Sequence, residues 1–171
     1  MTEANLDDVV LEGFEDDGVF PNSRLPTLIY RQALPMAATS PEALEALFAA
    51  NGWPPQWRAG IYAFHHYHST THEALGIAAG SATVMVGGPD GRAFDVGQGD
   101  VILLPAGTAH RRLAASPDFL VVGAYPPGAN WDVLKGEPGE RERALENIAR
   151  VPMPTSDPVG GKPGPLMKVW K

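Results

Sequence analysis

From about Trp57 to Tyr125 the chain alternates between apolar and polar positions in short runs: "RAGIYAFHHYH", "EALGIAAG", "SATVMVGG", "RAFDVGQ", "DVILLPA" and "DFLVVGAY". Turns rich in Gly, Pro and Asp separate them, and "GGPDGR" (87–92) is a hairpin signal. Short strands at a spacing of roughly ten residues predict a β-sandwich or barrel. Upstream, "LPTLIYRQAL" (25–34) reads as a first strand. Helical periodicity occurs twice. In "TSPEALEALFAANG" (39–52) Ser40 suits the N-cap, Pro41 the first turn and Gly52 the stop, with Leu44, Leu47 and Phe48 on one face. In "GERERALENIARV" (139–151) the expected buried face is Leu145, Ile148 and Ala149.

The ends are less patterned. Residues 1–24 read as an acidic, poorly packed and only partly ordered leader. Residues 25–171 form one domain, with a core of strands at about 57–125 and a C-terminal extension at 126–171. The extension is Pro/Gly-rich, with Met153, Leu166 and Trp170 as anchors for packing on the domain. No internal repeat is present.

Composition sharpens this picture. A length of 171 residues suffices for one domain with a real core. The 19 glycines and 17 prolines lie between apolar runs, as turns do, and do not cluster as in a disordered segment. The formal charge of −7, without a Lys/Arg cluster, argues against a nucleic-acid partner. No cysteine is present, which excludes disulfides, thiolate metal sites and a cysteine nucleophile. The start of the chain lacks the basic and apolar regions of a signal peptide, and the apolar runs are too short to cross a bilayer. The expectation is a soluble cytoplasmic protein with no membrane partner.

The candidate chemistry lies in "FHHYHSTTHE" (64–73), which holds four of the five histidines. On a strand over 58–68, His66 and His68 share one face with Arg58, Gly60, Tyr62 and Phe64, while His65 and Tyr67 face away. Two neutral imidazoles at i and i+2 can converge on one cation such as Zn, Fe, Mn, Ni or Cu. A turn through "STT" would bring Glu73 to the start of the next strand. The turn at Pro105–Gly107 could aim His110 into the same cavity. Three nitrogens and one oxygen would leave coordination positions for water or substrate.

These residues resemble the two motifs of the cupin superfamily. Gly60, five residues, His66-x-His68, four residues, Glu73, six residues and Gly80 fit the first motif. Gly99, five residues, Pro105-x-Gly107, two residues and His110 fit the second, whose closing Asn is replaced by Ala114. The flanking segments resemble a small bacterial single-domain cupin branch of unassigned activity. The resemblance implies an all-β double-stranded β-helix (jelly-roll) barrel with a few flanking helices, and a homodimer. It also implies one divalent transition metal (Fe, Mn, Ni, Zn, Co or Cu) on His66, His68, Glu73 and His110.

By face parity the substrate pocket would include Tyr62, Phe64, Leu75, Ile77 and Arg112. Phe64 fits plain packing better than a pocket role. Arg112 is either the partner of a substrate carboxylate or a solvated rim residue. His72 has parity against it as a ligand, and His65 suits a sheet or dimer contact. The small-molecule ligand would be a polar metabolite such as an organic acid. The activity would be oxygenase (a dioxygenase), isomerase or lyase chemistry, with no catalytic residue assigned. The alternative is a non-catalytic module that binds or senses a small ligand.

Overall fold

The computed structural model describes residues 4–171. Nine strands form two antiparallel sheets. The larger runs β1 (Val9–Phe14), β2 (Ser23–Tyr30), β7 (Val101–Leu104), β4 (Glu73–Ala79), β9 (Leu120–Ala124) and β3 (Pro55–Ala59) in spatial order. The smaller runs β6 (Arg92–Gly97), β5 (Ser81–Val86) and β8 (His110–Ala115). The interleaved order, with β7 beside both β2 and β4, is that of a jelly roll. The expected all-β fold is present as two facing sheets and not as a closed barrel.

The two sheets differ in what covers them. Between them lies an apolar layer that includes Ile29, Ile77, Ile102, Val84, Val86 and Phe94. The other face of the large sheet is covered by helix α1 (Pro41–Ala50) and the C-terminal segment, through Leu44, Phe48, Trp53, Leu166 and Trp170. Strands β4 and β7 are therefore apolar on both faces and almost wholly buried, whereas β5 and β6 alternate buried with wetter positions. Each buried Leu, Ile or Phe in these layers contributes about 1.5–3 kcal/mol. Gly76 lets α1 lie close: a Cβ there would stand 3.0 Å from Phe48 and 3.1 Å from Leu44.

Helix α1 begins as expected, with the Ser40 side chain accepting from the Ala43 amide and Pro41 in the first turn. Several expectations are corrected. Residues 9–14 of the leader are strand β1, paired with β2, because Val9 and Val10 supply the apolar positions an edge strand needs. The strand expected over 58–68 ends at Ala59. Beyond it only His66 and Tyr67 make isolated bridges, to His110 and Leu134. Arg58 is exposed and paired with Glu42 and Glu45 of α1.

Helix α2 (Arg141–Arg150) buries Ala144 and half-buries Ile148, while Leu145 and Ala149 are exposed. It packs through an i, i+4 row one position off the expected face. In the tail, Leu166 and Trp170 are buried anchors and Met153 is exposed. The buried Asp157 pins this segment by accepting from Tyr30 Oη and from the Val159, Gly160 and Leu166 amides.

Candidate metal centre

Backbone pairing brings the motif residues together. His66 N donates to His110 O at 3.1 Å, and His110 N donates to His66 O at 2.9 Å, so the first motif is stitched to the start of β8. Glu73 opens β4 and pairs with Leu104 at the end of β7, just before the turn that leads to His110. That turn requires Gly107. Its φ is +97°, and a Cβ there would stand 2.3 Å from the Asn22 carbonyl oxygen. Asn22 Oδ1 in turn accepts from Ala109 N, next to the ligand position.

The imidazoles of His66, His68 and His110 are buried, and one ring nitrogen of each lies within 4.8 Å of the other two. Each Nδ1 meets a backbone carbonyl: Phe64 O for His66 (3.0 Å), Asp132 O for His68, and Thr108 O for His110 (3.1 Å). A carbonyl only accepts, so Nδ1 carries the proton and Nε2 keeps its lone pair in the neutral ring. Glu73 stands against two of these nitrogens, with Oε2 3.0 Å from His68 Nε2 and Oε1 3.2 Å from His110 Nε2.

A carboxylate facing imidazole lone pairs in a buried site needs a positive charge between them. His68 Nε2 and Glu73 Oε1 have no hydrogen-bond partner among the described residues. The donor set of three imidazoles and one carboxylate suits a divalent transition metal. Orphaned atoms and donor chemistry therefore both fit a cation at this point. Burial favours neutral His68, but the charge and contact of Glu73, helped by the Asp132 carbonyl, raise its pKa to about 9. A proton on His68 thus neutralises Glu73 when no metal is bound. Burial works to raise the Glu73 pKa, yet His68 and His110 hold it well below the usual carboxylate range. Burial, with His110 adding to it, lowers His66 to about 3 and keeps it neutral.

Outside the motifs, Trp57 Nε1 donates to Tyr125 Oη (2.8 Å), which donates to Glu73 Oε2 (2.7 Å). The Trp131 ring stacks on Tyr125 at 4.4 Å. Asp132, besides its carbonyl contact to His68, accepts from Ser69 N at 2.7 Å and from Ser69 Oγ. No motif or spacing in the sequence marks these residues. The available signal was that Tyr125 ends a strand and that the tail carries two aromatic or acidic residues in "ANWD".

A cavity of about 480 Å³ opens over the imidazoles. Of the expected pocket residues, Tyr62, Leu75 and Arg112 line it. Phe64 and Ile77 do not. Phe64 stacks on Tyr62 at 4.8 Å and lies under the Lys135 ammonium, because the chain has left strand geometry there. Ile77 lies wholly buried between the sheets, four residues deeper along β4 than Glu73. His72 is buried on the opposite face of the large sheet, against Trp170 at 4.7 Å, and its Nδ1 accepts from Ala106 N. His65 lies beside Phe20.

The chain is 39% identical over 158 residues to the uncharacterized protein YjlB of Bacillus subtilis, a match that covers 92% of this chain and 93% of YjlB. The chain belongs to the YjlB family. No protein-family model matches it. Its two motifs resemble those of cupins, and the two-sheet fold that brings them together is a jelly roll. Solved structures similar to it include a DUF861 family protein of Thermotoga maritima, with 24% identity and a TM-score of 0.35. That match covers 50% of this chain and 91% of the other. An oxalate decarboxylase (17%, TM-score 0.37, 78% of this chain and 29% of that one) and tomato vicilin (18%, 0.40, 78% and 40%) are also similar. At these scores the likenesses say nothing about activity in the YjlB family. No helix of the described residues is long and apolar enough to cross a membrane.

Proposed function

We propose that this YjlB-family cupin is a metal-dependent enzyme acting on a small organic acid. His66, His68, His110 and Glu73 would hold one divalent transition metal. The observation that carries the reading is the convergence of three carbonyl-oriented imidazoles on a buried carboxylate, beneath an open cavity. A metal there would supply Lewis-acid chemistry or, as iron, chemistry with dioxygen. The chain's own residues do the rest. Tyr125 and Trp57 fix the Glu73 carboxylate, Leu75 supplies an apolar part of the wall, and Arg112 offers a guanidinium to a substrate carboxylate.

Protein prepared without chelators should contain about one transition metal per chain. The His66→Ala, His110→Ala double variant should contain almost none, and unchanged content would overturn the site. Oxygen uptake or product formation with mixed organic acids tests turnover.

A second reading is a binding or sensing module. It is favoured by one feature: among the described lining residues Glu73 is the only carboxylate, so no further acid is placed to move a proton. Retention of an unaltered acid would support it. The homodimer rests on the cupin resemblance and is tested by light scattering; the cytoplasmic placement is tested by cell fractionation.

A further inference from the structure

Tyr62, Tyr125 and Trp131 line the cavity, Tyr62 backed by Phe64 outside it and Tyr125 stacked on Trp131. Tyr62 and Phe64 lie 4.8 Å apart at 17°, and Tyr125 and Trp131 lie 4.4 Å apart at 5°. They meet different imidazoles: the Tyr62 ring meets His66 edge-on at 5.1 Å, and the Tyr125 ring meets His68 edge-on at 6.3 Å. The Tyr125 hydroxyl is engaged by Trp57 and Glu73, so this residue presents its ring to the cavity. At the mouth, Tyr62 is 54% exposed, Val133 39% and Trp131 37%. Such an apolar collar around a concave site marks a surface built to be covered by a ligand.

The polar groups are few and placed deep, apart from one cation. Arg112 lines the cavity, and its guanidinium has no hydrogen-bond or ion-pair partner among the described residues. One cation matches one carboxylate. A di-acid of two or three carbons would leave most of the 480 Å³ and the aromatic walls unused.

We infer that the ligand is a flat aromatic monocarboxylate, its carboxylate at Arg112 and its ring among Tyr62, Tyr125 and Trp131. The inference rests on the reading of the site given above and deepens it by naming the substrate class.

The test uses protein loaded with Zn(II), its metal content measured on the same sample. Benzoate, cyclohexanecarboxylate, propionate and succinate are titrated by calorimetry and by tryptophan fluorescence. Benzoate should bind about tenfold more tightly than propionate and several-fold more tightly than cyclohexanecarboxylate, which matches it in charge and size but not in flatness. Trp131→Ala and the more exposed Tyr62→Ala should each shrink that margin, and Arg112→Gln should weaken every carboxylate alike. Equal affinity for benzoate and cyclohexanecarboxylate, or a margin indifferent to both aromatic variants, would overturn the inference while leaving the metal reading intact. Absence of metal would overturn the metal reading, and the same titrations on that metal-free protein would still decide the ring preference. Light scattering across the titration range covers the remaining occupant. A second copy seated on the collar, with no benzoate binding, would overturn the inference.

Discussion

The two sides of the segment 64–73 are made of the same residue types and do opposite work. On the inner side, His66 and His68 turn Nδ1 to backbone carbonyls and leave Nε2 free beside Glu73. On the outer side, His72 turns Nδ1 to a backbone amide, Ala106 N. An amide only donates, so the His72 lone pair is already used and its proton sits on Nε2. A carbonyl partner prepares an imidazole to bind a cation, and an amide partner removes it from that chemistry. Burial does not separate the two sides, since His66, His68 and His72 are all buried. The backbone group that each ring meets does.

The largest effect that tests this contrast is on metal affinity. His68→Ala or His110→Ala should lower it by more than about a hundredfold, beyond the upper end of what losing an outer partner costs. His72→Gln should leave it within about threefold. Competition against a chromophoric chelator measures both. Comparable losses on the two sides would break the contrast.

Next comes stability against pH. Burial lowers the His72 pKa to about 4 in the folded protein, against about 6.5 for an ordinary histidine. Between those values the unfolded chain binds the extra proton and the native protein does not, so stability falls as the pH falls. Over the window from pH 6.5 to 4 this site should contribute a loss of up to about 3 kcal/mol. Gln keeps an acceptor for Ala106 N and does not titrate. Urea unfolding of His72→Gln should therefore show a flatter acid limb than the parent, with little change at pH 8.

A smaller effect is expected at the support of Glu73. Tyr125→Phe removes one donor to a buried carboxylate, worth about 1.5–3 kcal/mol, part of which a bound metal recovers. Metal affinity should fall by roughly tenfold with stoichiometry kept. No change would mean that Trp57 and Tyr125 support the fold and not the ligand.

The parts of the site that were legible in the sequence are those carried by side-chain identity at fixed spacing. His66, His68, Glu73 and His110 stand in two spaced motifs, and Gly107 marks the turn that delivers the last of them. The jelly roll was legible in part because one face of β5 and of β6 is wet, which leaves an alternating pattern. The second layer was not legible. The Nδ1 partners are carbonyls of Phe64, Thr108 and Asp132, and a carbonyl has no residue identity to read. Period-two parity does not place Phe64, because the ladder stops at Ala59. Ile77 has the right face but the wrong depth: parity fixes a side of the sheet and says nothing about how far along the strand the cavity reaches.

The smallest effect belongs to His65, which packs beside Phe20 and is less buried than His72. Its ring centroid lies 5.5 Å from Phe20 at a tilted angle, and no described group pairs with its Nδ1. Burial, and then the nearby Arg111 charge, lower its pKa, while Asp17 opposes them. The sign is the same as for His72, with stability lost as the pH drops below the unfolded value. The amount is smaller because water reaches this ring and screens the charges. His65→Ala should cost less than about 1 kcal/mol at neutral pH, the scale of one aromatic contact, and leave metal content unchanged. A drop in metal content in this variant would mean that the Phe64–His66 backbone, and with it the carbonyl that orients His66, depends on the His65 packing. The imidazole cluster would then be mechanically coupled to the Phe20 contact, even though no hydrogen bond joins them.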